Sequence, residues 1–190
     1  MGKSFVKDHV VNIFFELAKK KSVQKITIND IVTECELSKQ TFYNYFKDKN
    51  DLILYACTLQ GRRNLKQALD AGLNYEAAIL GYYQNALSLK YFYRYFIHEP
   101  EWQLILFNSI AHTSIEYMKN QIIYHYGNSE LTPELLLTIK FNAAGNAHLF
   151  VDWITNNMNV SQKIMASVNF NCIPEVLKNY FNCEKISSII

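Results

Sequence analysis

Several signatures of chemistry are missing from this 190-residue chain. It has no Gly-x-Ser-x-Gly, no Gly-rich phosphate loop and no His-Glu-x-x-His. His98-Glu99 begins like the last of these, but Pro100 follows and Trp102 stands where the second His is required. His112 and Glu116 lie one helical turn apart and could form an acid–base pair, a spacing that more often marks an exposed helix face. The chain therefore reads as a non-enzyme. Its four cysteines, Cys35, Cys57, Cys172 and Cys183, are widely separated and form no Cys-x-x-Cys. That spacing argues against a zinc site or a disulfide framework and fits a reducing compartment. No metal or cofactor is expected. No apolar run approaches membrane-spanning length and the N-terminus carries no secretory stretch, so a cytoplasmic protein without membrane contact is expected. Met1-Gly2 suggests myristoylation, but Val6 stands where Ser or Thr is needed. Repeats, low-complexity tracts and strand signals are absent too, which leaves an all-α fold. A hydrophobic content of 49% supplies a globular core.

What the chain does have is a run of capped helices near its start. Thr27 and Ser38 can each accept a backbone N–H at the head of a helix, and Asp30, three residues after Thr27, favours the same helix end. Ile28, Ile31, Val32, Leu37, Phe42 and Phe46 fall at helical spacing, so two short helices can share one small core. The opposite face of the second helix carries Lys39, Gln40, Tyr43 and Asn44. A helix of this kind fits the major groove of double-stranded DNA. There Gln and Asn can pair with adenine and Lys with guanine, while Tyr and Thr hydroxyls near a Lys suit phosphates. Charge is distributed accordingly. The whole chain is only +2, yet residues 1–70 carry 12 Lys+Arg against 8 Asp+Glu and residues 71–190 carry 7 against 9. The basic excess sits with the helix pair, as phosphate binding requires.

The run from Ile26 to Leu54, with Thr27, Asp30-Ile31 and Ser38-x-x-Thr41-Phe42-Tyr43-x-Tyr45-Phe46-x-x-Lys49-x-x-Leu52, resembles the DNA-binding segment of the tetracycline-repressor (TetR) family of bacterial transcriptional regulators. The resemblance implies that Thr27, Thr41, Tyr43, Tyr45 and Lys49 touch phosphates, and that Lys39, Gln40 and Asn44 face bases. An aromatic at Tyr45 is open to packing as well as to DNA. Glu36 departs from the pattern, since the family usually has Gly in the interhelical turn. A non-Gly residue with positive φ there costs on the order of 1 kcal/mol.

Around this motif the periodicity predicts further helices. Ser4 is placed as the cap of a first helix with an apolar stripe of Val6, Val10, Ile13, Phe14 and Leu17, ending in Lys19-Lys20-Lys21. Asp48 and Asp51 mark the start of a fourth helix that buries Leu52, Ile53, Ala56 and Leu59 and runs toward Asp70. The division expected is a DNA-binding domain at 1–50 and a helical ligand-binding and dimerisation domain at 51–190. Beyond Gly72 the chain is rich in Tyr, Phe and Trp. Pro100 is read as an interruption, Gly127-Asn128-Ser129 as a loop, and Thr132-Pro133-Glu134 as the start of a helix reaching about Asn157. A last helical segment follows Ser161, breaks before Pro174 and ends near Phe181.

Aromatic-rich helices can enclose a small molecule or simply pack. The resemblance, in which this region senses ligands, favours an effector pocket. Its expected liners are Tyr83, Phe107, His112, Phe141 and His148, although His148 can also pair with Asp152 one turn on. The resemblance also implies a C2 homodimer in which the last two long helices form a four-helix bundle. Ala143, Gly145 and Ala147 allow close approach, Phe150, Trp153 and Ile154 supply buried area, and Val176, Leu177 and Phe181 form the partner face. The stretch from Phe141 to Lys178 is similar to a branch of the family that includes regulators of dihydroxyacetone kinase operons, a branch that can act through a partner protein. The expectation is a regulator that binds a palindromic operator as a dimer and represses until a small ligand binds its C-terminal domain. The alternative is a helical co-regulator that acts through a partner protein and has weak or no DNA binding of its own.

Overall fold

The computed structural model describes the backbone of residues 3–70, 75–98, 100–128 and 131–181; the side chains of 3, 4, 60–70, 75 and 181 lie outside the description. Within these residues the chain is all helix and turn, as its periodicity predicts. The helices are α1 (Lys3–Lys20), α2 (Ile28–Glu34), α3 (Lys39–Tyr43), α4 (Lys49–Asp70), α5 (Tyr75–Ser88), α6 (Lys90–Ile97), α7 (Pro100–Tyr126), α8 (Pro133–Thr155), α9 (Gln162–Asn171) and α10 (Glu175–Phe181). A single 3₁₀ turn, Val23–Lys25, joins α1 to α2.

Most boundaries follow from local hydrogen bonds. Thr132 Oγ1 accepts from Leu135 N at 3.2 Å with Pro133 in the first helical position, and Ser161 Oγ accepts from Ile164 N at 3.4 Å. Asp48 and Asp51 act reciprocally: Asp51 N donates to Asp48 Oδ1 at 2.8 Å and Lys47 N to Asp51 Oδ2 at 2.9 Å. Two expectations change. Pro100 opens α7 instead of interrupting a helix, because its missing N–H costs nothing in a first turn. Ser4 lies inside α1, which already begins at Lys3, so it is not the residue that precedes the helix.

The head, α1–α3 with the first turns of α4, buries Phe14, Ile31, Phe42, Phe46, Leu52 and Ile53 almost completely. Lys7 Nζ sits over the Phe46 and Tyr55 rings, 5.3 and 4.7 Å from their centroids, and covers one side of this core. Two connections carry the head into the body. One is α4, which packs along α5 and α7. The other is aromatic: Phe92 of α6 meets Phe14 and Phe15 of α1 edge-on at 6.0 and 5.0 Å. From Phe92 the ring contacts continue through Tyr93 at 5.2 Å to Phe150 of α8 at 5.7 Å, and on to Tyr83 and Trp153. Trp153 Nε1 donates to Val160 O at 2.8 Å and so fixes the turn between α8 and α9.

Truncating Phe92 leaves a void at the only aromatic junction described between α1 and α6. Phe92→Ala is expected to lose about 3–5 kcal/mol of stability, read from urea unfolding followed by circular dichroism.

Candidate functional site

The short helices of the head are held by side chains acting on backbone. Thr27 and Asp30 form a reciprocal box: Asp30 N donates to Thr27 Oγ1 at 3.1 Å, and Thr27 N and Oγ1 both donate to Asp30 Oδ2 at 2.7 Å. Lys21 Nζ closes on the same Asp30 oxygen. That ammonium, followed by the two Thr27 donors, holds the Asp30 carboxyl far below the usual carboxylate range. Ser38 Oγ accepts from Thr41 N at 3.0 Å and lies 2.9 Å from Thr41 Oγ1, which anchors the first turn of α3. Between the helices Glu36 sits at φ 55°, the left-handed conformation implied by the Gly that the resembled family has there. Leu37 N donates to Val32 O at 2.9 Å across this turn.

With Phe42 buried, α3 presents Lys39, Gln40, Tyr43 and Asn44 outward; all four are exposed, and Tyr43 keeps 54% of its surface open. Thr27 is exposed with its hydroxyl engaged in the cap, and Thr41 is half-buried beside Ser38. Tyr45 is half-buried and packs on the head core. Lys49 departs from its expected place as a free phosphate ligand. Its Nζ donates to the carbonyls of Val23, Gln24 and Ile26 at 3.1, 3.1 and 3.0 Å, so all three N–H groups are spent on the backbone of the 3₁₀ turn. Burial lowers its pKa. Lys49 is a clamp that ties the start of α4 to the strap leading into α2, and it positions the head.

In the body, a cavity of about 60 Å³ opens between α4, α5, α7, α8 and α9. Of the five expected liners only Tyr83 is on its wall. Phe141 is 81% exposed on the outside of α8; His148 and His112 are also exposed, and half-buried Phe107 does not line the cavity. The side chains that do line it include Cys57, Tyr82, Ser109, Thr113, Ser114, Asn146 and Asn169. The signal for them was small polar residues recurring one turn apart in otherwise apolar helices, as with Ser109 and Thr113. Asp152 Oδ1 accepts from Asn156 Nδ2 at 3.1 Å, and Glu116 pairs with Lys119 at 3.0 Å. The pairing partner suggested for His148 and the acid–base partner suggested for His112 are thus engaged elsewhere.

Most expected dimer residues are also relocated. Ala143, Ala147, Phe150, Trp153, Ile154 and Leu177 are each at most 2% exposed within the single chain, because they form the face of α8 and α10 that packs on the body's own core. Val176 is 45% exposed, and the Phe181 side chain lies outside the described residues. The outward face of α8 carries Leu137, Phe141, Gly145 and His148, and α9 adds exposed Ile164 and Val168. Among the described residues no group of three or more His, Cys, Asp and Glu could hold a metal, and no helix is long and apolar enough to cross a membrane.

Two capped helices set across a tight left-handed turn, with the second showing an exposed polar row, define a helix-turn-helix DNA-binding protein. Residues 15–56 match the family model described as bacterial regulatory proteins of the tetR family. The HTH-type transcriptional regulator YerO of Bacillus subtilis (strain 168) is 39% identical over 51 residues; the match covers 27% of this chain and 18% of that protein. The fold extends the likeness over the whole length. The dihydroxyacetone kinase operon activator DhaS superposes with a TM-score of 0.63 at 15% identity, covering 93% of this chain and 96% of that one. A TetR transcriptional regulator from Streptococcus agalactiae 2603V gives 0.50 at 17% identity, covering 95% and 93%.

Separating clamp from contact gives an experiment. Lys49→Ala should cost about 1–3 kcal/mol of unfolding free energy, since it removes hydrogen bonds from a charged donor. Lys39→Ala should stay within about 0.5 kcal/mol of the parent, because Lys39 is exposed. Urea midpoints compare the two. The Asp30 pair gives a pH test. A depressed folded pKa means that the ionised form contributes stability above the unfolded value of about 3.9, and that this contribution disappears as pH falls from there. Asp30→Asn should flatten the decline in stability below about pH 4, measured as the urea midpoint against pH.

Proposed function

We propose that this chain is a transcriptional regulator that binds a palindromic operator as a homodimer and represses until a small effector occupies the cavity of its body. Residues 1–50 serve as the DNA-binding head and 51–190 as the effector and dimerisation body. The observation that carries the reading is the row of Lys39, Gln40, Tyr43 and Asn44, exposed together on a helix whose start is fixed by Ser38. Lys39, Gln40 and Asn44 read base edges, and Thr41 and Tyr43 supply hydroxyls to phosphates, whereas the Thr27 hydroxyl proton is spent on Asp30 in its cap. Tyr45 supports the helix from behind, and Lys49 sets its approach angle.

Two-fold binding needs a second copy, and the outward stripe of α8 is a suitable seat. Leu137, Phe141, Gly145 and His148 recur at helical intervals on one side, with a glycine at the centre that permits close approach. A ligand that favours a head separation unsuited to the operator must bind that state more tightly, since differential affinity is the only source of such a switch. Ser109 links the two functions: it lines the cavity, and its hydroxyl lies 3.0 Å from Thr58 Oγ1 on α4, the helix that continues into the head.

Capture of genomic DNA fragments by the purified protein, sequenced and repeated across a salt series, tests the reading. One palindromic site should be enriched, with binding that weakens steeply with salt and is lost in Lys39→Ala/Tyr43→Ala. Phe141→Asp should be monomeric by light scattering, keep its thermal stability and bind the same site at least about tenfold more weakly. Absence of any enrichment over the double variant would replace this reading with a regulator that acts through a partner protein.

A further inference from the structure

We propose that the effector cavity is selective for a small, uncharged molecule with an apolar body and a hydroxyl or carbonyl group at one end. This inference rests on the reading of the cavity as an effector site. Among the described residues no Asp, Glu, Lys, Arg or His lines it. Its described lining combines the apolar Ile79, Ile110, Met118 and Phe150 with the polar Ser109, Thr113, Ser114, Asn146 and Asn169. At about 60 Å³ the space holds roughly four to six water-sized groups, which sets the scale of the ligand.

The selection against charge follows from what surrounds the space. Tyr83 is 1% exposed and Cys57 6% exposed, and burial pushes the Tyr83 hydroxyl up to about 12 and the Cys57 thiol well above its ordinary value. An enclosure that keeps its own ionisable groups neutral penalises an incoming carboxylate or ammonium in the same way, and none of the described lining residues supplies an opposite charge to compensate. A neutral hydroxyl or carbonyl loses far less on leaving water and can recover it from amides and hydroxyls. Those groups have capacity to spare. A side-chain amide offers two donors and a two-lone-pair acceptor, whereas Asn169 donates once, to the Tyr83 hydroxyl at a long 3.4 Å, and Asn146 donates once, to Asn142 Oδ1 at 3.1 Å. The polar end of the ligand belongs beside Ser109, Thr113 and the two asparagines, with its apolar body against Phe150 and Met118.

Thermal unfolding of the full-length protein with three probes that share one five-carbon ring tests the inference: cyclopentanol, cyclopentylamine and cyclopentanecarboxylate. Cyclopentanol should raise Tm saturably, by about 3–6 °C at ten times its dissociation constant, and the two charged probes should not raise it. The rise should vanish in Ile110→Trp or Ser114→Leu, which fill the space from successive turns of α7; the contrast between probes is read on the unmodified protein and needs neither variant to fold. Stabilisation by either charged probe that is lost in a filled variant would overturn the selectivity and leave the cavity as an effector site. Failure of all three probes to stabilise would overturn both, leaving the cavity as a gap in packing, while the genomic capture judges DNA binding independently.

Discussion

The edge-on contact of Phe92 with Phe14 and Phe15 holds the head to the body, and much of the remaining architecture depends on it. A three-helix head of this size has little apolar surface of its own, and small cores are marginal. α6 packs on its first helix, where Phe92 meets Phe14 and Phe15. The same ring begins a chain of aromatic contacts that passes through Tyr93 to Phe150, a wall of the cavity. Close-packed rings tend to shift between discrete arrangements, and a cavity bounded by one end of such a column lies next to what positions the other. The α4 route, through Ser109 and Thr58, runs beside it. Two mechanical connections between cavity and head are thus built from few side chains.

How much of this was legible in the sequence depended on the range of the interaction involved. The caps at Thr27, Ser38, Thr132 and Ser161 are made within three residues, and they were read where they stand. The left-handed turn at Glu36 was legible through the family resemblance, which places Gly at that position. Pro100 was ambiguous because one property, a missing N–H, both breaks helices and starts them. Periodicity told which residues of α8 share a face but not which face turns inward. With Ala143, Ala147 and Phe150 on one side and Leu137, Phe141 and Gly145 on the other, the small residues were assigned to a partner when they serve the chain's own core.

The cavity and the Lys49 clamp lay further from reach. A cavity is defined by where side chains stop, so large aromatics and histidines were poor guides to it, and Ser109, Thr113 and Asn169 gave only a faint polar signal. Lys49 meets carbonyls more than twenty residues earlier in the chain. Only the path of the 3₁₀ turn decides that its ammonium points inward, and no local pattern encodes that path.

The head divides its labour between residues in a way that bears on descent as much as on mechanism. Ser38, Phe42 and Lys49 hold the shape, whereas Lys39, Gln40 and Asn44 are exposed and make no side-chain hydrogen bond to the described residues. Substitution at those three positions is close to free in folding energy. After a gene duplication, one copy could therefore change these exposed positions one residue at a time while remaining a folded protein at every step, with the helices of its body untouched.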